Sequence, residues 1–198
     1  MISRLESAAG TRRALLDAAA ELLDAGGPDA VTLREVGARA GVSRNAPYRH
    51  FADKEMLLTA VAAESWDRVA AALQAIGATQ AAPPARLRCA LAAIVELGRE
   101  RPHLYRMMFA VPDSDPGAVV RAASRAQDEF LSIVAAVTGE ADARHYGALL
   151  LTSAHGIAGM ELSGHLTREK WGTTAEDLIA TLVAMTASQH PAGSAEPA

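Results

Sequence analysis

Residues 32–51, TLREVGARAGVSRNAPYRHF, constrain this chain more than any other stretch. They contain two short helical patterns separated by a glycine. Thr32-Leu33-Arg34-Glu35 has the form of a capping box, with the Thr32 hydroxyl on the Glu35 N–H and the Glu35 carboxylate back on the Thr32 N–H. Leu33, Val36 and Ala40 mark the inner face of the helix that follows, and Gly41 ends it. A second helix is expected from Ser43, a good N-cap, to about His50. Two short helices joined by a glycine-containing turn make a helix-turn-helix.

The second of these helices presents Ser43, Arg44, Asn45, Tyr48, Arg49 and His50, and is too polar for a core position. Arginine pairs two-pronged with guanine edges and asparagine with adenine. Serine, tyrosine and backbone N–H groups hold phosphates and set register. From Thr32 to Lys54 the cations Arg34, Arg39, Arg44, Arg49 and Lys54 outnumber Glu35 and Asp53, inside a chain of net charge −4. Bulk charge therefore excludes a general polyanion binder, while this segment carries a local basic surplus. A solvated charged face is the plain alternative, and an ordinary helical hairpin shares the same pattern.

The flanks support the segment. Leu15, Leu16, Ala19, Leu22 and Leu23 recur at helical spacing, so an amphipathic helix is expected from Thr11, as N-cap, to Ala25. Gly26-Gly27-Pro28 ends it, and Arg12 and Arg13 fall in its first turn, where the helix dipole disfavours cations. Asp53 caps a fourth helix running to about Ala75 through Leu57, Val61, Trp66 and Leu73. Lys54 in its first turn can reach a phosphate. Residues 77–84, GATQAAPP, separate this part from the rest. Further helices are expected over 85–101, from Pro102 through Phe109, over 119–137, over 141–166, and after a Thr173-Thr174 cap. Residues 112–117 read as a loop and 189–198 as a disordered tail. Gly147, Gly156, Gly159 and Gly164 suggest close helix approach. No strand pattern or internal repeat emerges, so the fold class is all-α.

Residues 11–58 resemble the DNA-binding domain of the TetR (tetracycline-repressor-like) family. The match runs through Thr11-Arg12-Arg13, Leu22-Leu23, Gly26, Val31-Thr32-Leu33, Val36 and Ala40-Gly41-Val42-Ser43. It continues through Tyr48-Arg49-His50-Phe51, Asp53-Lys54-Glu55 and Leu57. The resemblance implies a homodimeric transcription factor, a repressor, whose N-terminal three-helix domain (1–58, its connecting helix continuing to about 76) binds palindromic operator DNA. A C-terminal helical bundle (77–188) is then expected to dimerise and bind a small-molecule effector. On this reading Arg12, Thr32, Arg34, Ser43, Arg44, Asn45, Tyr48, Arg49, His50 and Lys54 form the DNA surface. Many relatives have glycine in place of Asn45 and leucine or isoleucine in place of Pro47. Pro47 lacks an N–H, so the reading helix is expected to open with a distorted turn. The segments 99–109 and His155-Gly156 resemble a C-terminal subclass marked by a His-Gly pair, without the tryptophan that often precedes it.

Trp66, Cys89, Tyr105, Met107, Met108, Phe109, Phe130 and His155 are the candidate lining of an apolar pocket, although any single one of them reads first as plain core, and His155 as a structural or interface histidine. Ala148, Thr152, Gly156, Gly159 and Ser163 form a small-residue surface suited to dimer packing. Cys89 is the only cysteine, expected as a buried structural thiol in a reducing compartment. The N-terminus lacks the apolar core of a signal peptide, and the uncharged stretch 146–160 falls short of the ~20 apolar residues a membrane span needs. A cytoplasmic protein is expected, with no cofactor. No glycine-rich phosphate loop or G-x-S-x-G occurs, so no enzyme is expected. Glu100 and His103 have di-iron spacing, but Pro102 interrupts the helix they would share. The alternatives are a helical enzyme or metal-binding bundle and a protein-binding adaptor.

Overall fold

The computed structural model describes residues 4–110 and 116–191, with side chains from residue 8 onward. The loop expected over 112–117 lies outside these residues up to 115, while Pro116 and Gly117 open a helix instead; the expected tail lies outside them from 192, while Gln189 still closes a helix. Among the described residues ten α-helices run α1 (Arg4–Gly26), α2 (Leu33–Arg39), α3 (Ala46–His50), α4 (Lys54–Gly77), α5 (Pro83–Glu100), α6 (Pro102–Met108), α7 (Pro116–Thr138), α8 (Ala143–Leu162), α9 (Arg168–Trp171) and α10 (Ala175–Gln189). A 3₁₀ turn, Pro28–Ala30, follows α1. Among the described residues there is no strand.

The helix expected from Thr11 starts earlier, at Arg4. Gly10 costs only ~1 kcal/mol in mid-helix, and no stronger breaker precedes Thr11. Arg12 and Arg13 therefore lie well inside the helix, not in its first turn, and escape the dipole penalty. The stretch expected as one helix over 141–166 ends at Leu162, where Gly164 takes φ +70° and α9 follows.

The chain forms two compact units. The first comprises residues 1–67 and 101–123, and the second 68–100 and 124–198. In the first unit, Leu15, Leu16, Ala19 and Leu23 of α1 are buried along with Val31, Val36, Phe51 and Leu57. Arg13 Nη1 meets Glu64 at 2.7 Å and ties α1 to α4. Helix α6, distant in sequence, packs against α1, with Leu104, Tyr105 and Met108 buried.

In the second unit α5 packs on α8 and α10, burying Leu87, Leu91, Ile94 and Val95 with Leu150, Ala154, Ile157, Ile179 and Val183. Helix α10 opens with a capping box between Thr174 and Asp177. Gly147 lies against Leu131, the close approach expected of it, whereas Gly156 and Gly159 face open space. Cys89 is exposed, contrary to the expectation of a buried thiol, because Leu87, Ala90 and Leu91 occupy the inward face of α5.

Arg99 holds the ends of three helices in this unit together. It meets Glu161 of α8 at 2.7 and 2.8 Å, Glu176 of α10 at 2.7 Å and Glu96 of its own helix at 3.1 Å. Glu161 and Glu176 hold the Arg99 pKa above its usual value. The Glu176 carboxylate is held below its ordinary 4.5, first by its own backbone N–H and next by Arg99. A depressed carboxylate stabilises the fold above its unfolded pKa and loses that contribution as pH falls through the folded value. Arg99→Met, which strands the mostly buried Glu161, is expected to cost about 1–2 kcal/mol at pH 7. The part of that cost owed to the Arg99–Glu176 pair shrinks as pH drops below 4.5. Urea midpoints at the two pH values test this, and an unchanged midpoint at pH 7 contradicts it.

Candidate nucleic-acid interface

Helix α2 is capped as the sequence suggests, in half. Thr32 Oγ1 accepts from the Glu35 N–H at 3.1 Å. The reciprocal half of the expected box is absent, because Glu35 Oε1 instead accepts from Arg34 Nη2 at 3.2 Å. At its other end Gly41 adopts φ +67°, a left-handed conformation costly for residues with a β-carbon. Gly41 N–H bonds Ala38 O at 3.2 Å and Val42 N–H bonds Gly37 O at 3.1 Å, the Schellman pattern. This turn aims the chain from α2 toward α3.

The reading helix differs from the expectation. It spans Ala46–His50 rather than starting after a Ser43 cap, and its N-cap Asn45 makes no side-chain capping bond. Pro47 is the reason. After a Ser43 cap it would be the fourth helical residue, where its missing N–H leaves Ser43 O unbonded and its ring clashes with that carbonyl. With the start at Ala46 it occupies the second position, where no intrahelical N–H bond is required. Ser43 O accepts instead from the Ala46 N–H at 2.9 Å in a turn. Ser43, Arg44 and Asn45 thus project from the turn before α3, and Tyr48 and Arg49 from α3 itself; all five are exposed.

A feature not drawn from the sequence explains how α3 is seated. Pro47 is buried against Gly37, where a β-carbon would come within 2.8 Å of Pro47 Cγ. A glycine inside a seven-residue helix is the sequence signal, since it costs about 1 kcal/mol against alanine unless packing requires it.

The remaining candidates surround this core. Arg12 lies 5.4 Å from the centroid of the Phe51 ring, a cation–π contact that directs it to the α3 end of the unit. With Arg13, Leu16, His50, Phe51 and Met56 it lines a cleft of about 520 Å³. Lys54 opens α4, whose first turn is capped by Asp53 Oδ1 accepting from the Met56 N–H at 2.8 Å. Arg13, Arg34 and Arg39 are paired with Glu64, Glu35 and Glu21. Arg44, Arg49 and Lys54 have no carboxylate partner among the described residues, so their charge is available to an external anion.

The eight candidate pocket residues divide between the units. Trp66, Tyr105, Met108 and Phe109 cluster in the first. Trp66 Nε1 donates to Met108 O at 3.2 Å, its ring meets Phe109 edge-on at 5.2 Å, and Tyr105 lies 4.9 Å from Phe109. Met107 beside them is half-buried. Burial pushes the Tyr105 hydroxyl up to about 12, so it stays protonated at neutral pH. Phe130 is buried in the second unit, whereas Cys89 and His155 are exposed there.

A glycine-turned pair of short helices with an exposed polar second member, seated on a supporting α1, defines a helix-turn-helix head. The family model "Bacterial regulatory proteins, tetR family" matches residues 15–61. The model "Tetracyclin repressor-like, C-terminal domain" matches residues 87–186, a description that names no subclass. The chain belongs to the TetR family of transcriptional regulators.

Solved structures agree on the fold. A TetR transcriptional regulator from Rhodococcus sp. RHA1 is 21% identical with TM-score 0.62, covering 91% of this chain and 97% of that one. SCO7222, a TetR from Streptomyces coelicolor, is 20% identical with TM-score 0.68, at 90% and 96% coverage. FadR from Bacillus subtilis, solved with stearoyl-CoA, is 13% identical with TM-score 0.63, at 89% and 97% coverage. Comparison with curated proteins finds no match.

Proposed function

We propose that this regulator is a cytoplasmic homodimeric repressor that binds palindromic operator DNA and is released by a small-molecule effector. The observation that carries the reading is the exposed row Ser43, Arg44, Asn45, Tyr48 and Arg49, held by the Gly41 turn and the Gly37–Pro47 contact. Arg44 and Asn45 carry the base-reading chemistry. Arg12, Thr32, Arg34, His50 and Lys54 supply phosphate contacts that fix register.

One head covers one half-site, so a two-fold dimer is needed to reach successive major grooves about 34 Å apart. The expected dimer surface supports this. Ala148, Thr152, Gly156, Gly159 and Ser163 are all exposed on α8 and its C-cap, where Leu149 and Met160 add exposed apolar area, and Met185 is exposed on α10. Among the described residues no helix is long and apolar enough to cross a membrane. The stearoyl-CoA carried by the Bacillus subtilis relative supports a small molecule as the effector class. Release then requires that the effector bind the operator-competent and operator-incompetent states with different affinity. Glu100 closes α5 whereas His103 lies in α6, so the di-iron spacing does not share a helix face.

In vitro selection from random duplexes tests the reading. Expected is a palindrome bound by a dimer, with affinity falling steeply with salt. Recovery of no duplex, or of an asymmetric one bound by a monomer, overturns it.

A further inference from the structure

The cleft beside Phe51 has walls from the first compact unit alone. Helix α1 gives Arg12, Arg13 and Leu16, the end of α3 gives His50, and α7 adds Ala118. Helix α4 gives Met56, Thr59, Ala60, Ala63, Glu64 and Asp67. These recur every three or four residues, so they form one stripe of α4, about 16 Å from end to end. Ala60 and Ala63 carry nothing beyond a β-carbon, which leaves the space above them open. At about 520 Å³ the cleft has the volume of a small-molecule site.

Its charge is polarised along that stripe. His50 and Phe51 shortly precede α4, and Arg12 lies over the Phe51 ring, so the cationic groups stand at the Met56 end. Glu64 and Asp67 stand at the other. Arg13 meets Glu64 at 2.7 Å, so the acidic end is already compensated in part. The Arg12 side chain makes no ion pair or hydrogen bond among the described residues. Its guanidinium therefore has its N–H donors open to an oxyanion, and His50 adds a ring N–H at the same end. Ala60 and Ala63 lie between the two ends of the stripe, and Leu16 and Phe51 add apolar wall. Met56 is a pliant side chain that adapts to an apolar guest.

We propose that this cleft binds an amphipathic monocarboxylate, its oxyanion on Arg12 and His50 and its apolar body along Ala60 and Ala63. A carboxylate matches the planar guanidinium fork two-pronged. A second negative charge on the same molecule would meet Glu64 and Asp67, so the charge is confined to one end. Arg12 is also one of the proposed phosphate contacts. The carboxylate and the operator therefore compete for one guanidinium, and the ligand weakens operator binding from within the head. The effect on DNA rests on the operator-binding reading; occupancy of the cleft does not.

The test adds sodium decanoate to the full chain with methyl-labelled methionines, read by NMR. Met56 lines the cleft, whereas Met107 and Met108 belong to α6 and Met160 and Met185 to the second unit. Expected is a saturable shift of the Met56 signal below about 1 mM decanoate, with those four unmoved. Decylamine and decanol, which lack the carboxylate, are expected to bind about tenfold more weakly. Arg12→Gln should weaken decanoate about tenfold and leave decanol unchanged. Ala63→Leu fills the cleft away from the DNA surface. It should lose the decanoate shift, keep operator affinity and make that affinity insensitive to decanoate; Ala60→Leu carries the same test should Ala63→Leu unfold. In the wild type, saturating decanoate should weaken the selected operator about tenfold, and operator should weaken decanoate by the same factor. Shifts at the other four methionines in place of Met56 overturn the proposal. Equal affinity for decanoate, decylamine and decanol overturns the carboxylate assignment. A Met56 shift with operator affinity unchanged overturns the competition. If the wild type selects no palindrome, the functional reading falls, while the Met56 signal still decides the cleft.

Discussion

Replacing Arg44, Tyr48 and Lys54 together with alanine is expected to abolish operator binding while the dimer persists. Arg44 is exposed in the turn before α3, and Tyr48 is 57% exposed on it. Lys54 stands at the start of a 24-residue helix whose N-terminus itself attracts phosphate. A two-pronged arginine contact to a base is worth about 1–3 kcal/mol, and a lysine on a phosphate shifts the salt slope by about one. In the proposed two-fold dimer each contact is lost twice. The summed loss is at least about 3 kcal/mol, more than a hundredfold in affinity. Stability should hardly change, since exposed substitutions of this kind usually stay within about 0.5 kcal/mol. Fluorescence anisotropy with the selected operator, beside light scattering for the dimer, reads both. Unchanged affinity in the triple variant would remove the DNA-reading role from these three residues.

The second large effect concerns how α3 is held. Gly37→Ala places a carbon 2.8 Å from Pro47 Cγ and 3.4 Å from Cδ. A proline ring cannot rotate aside, so α2 and α3 must separate by several tenths of an ångström. Alanine improves helix propensity by about 1 kcal/mol, whereas overpacking costs about 1–3 kcal/mol. Overpacking is expected to win, lowering the urea midpoint and displacing the reading residues enough to weaken operator binding about tenfold. Pro47→Ala removes the obstructing ring, so the double variant should recover most of both losses. A Gly37→Ala protein more stable than the wild type, with full operator affinity, would falsify the idea that this contact seats α3.

Much of the head was legible because its signals are local. Thr32, Gly41 and Asp53 act within one turn of themselves, through a hydroxyl, a missing β-carbon and a carboxylate. The start of α3 lies two residues beyond the one a Ser43 cap predicts, at the irregular opening expected of Pro47. The missing N–H and the ring clash at Pro47 outweigh a side-chain cap worth about 1 kcal/mol. Glu35 had two local partners within reach, and its carboxylate accepts from Arg34. The candidate pocket was the least legible part. Apolar character alone does not tell which side of a helix faces inward, and the exposure of Cys89 and His155 depends on which faces of α5 and α8 are covered.

The residues from Thr32 to Phe51 were sufficient to specify an all-helical head with a polar reading edge, and with their flanks to resemble the TetR family to which the chain belongs. Capping, glycine turns and helical periodicity are short-range, so a single sequence carries them whole. Tertiary structure alone decided that α6 packs with α1, that Arg101 compensates a carboxylate 77 positions earlier, and that Pro47 rests on Gly37. Those contacts join residues far apart in the chain or on opposite sides of a turn. Their existence depends on which surfaces are buried together, a choice made by the packing of the whole unit and by no segment within it.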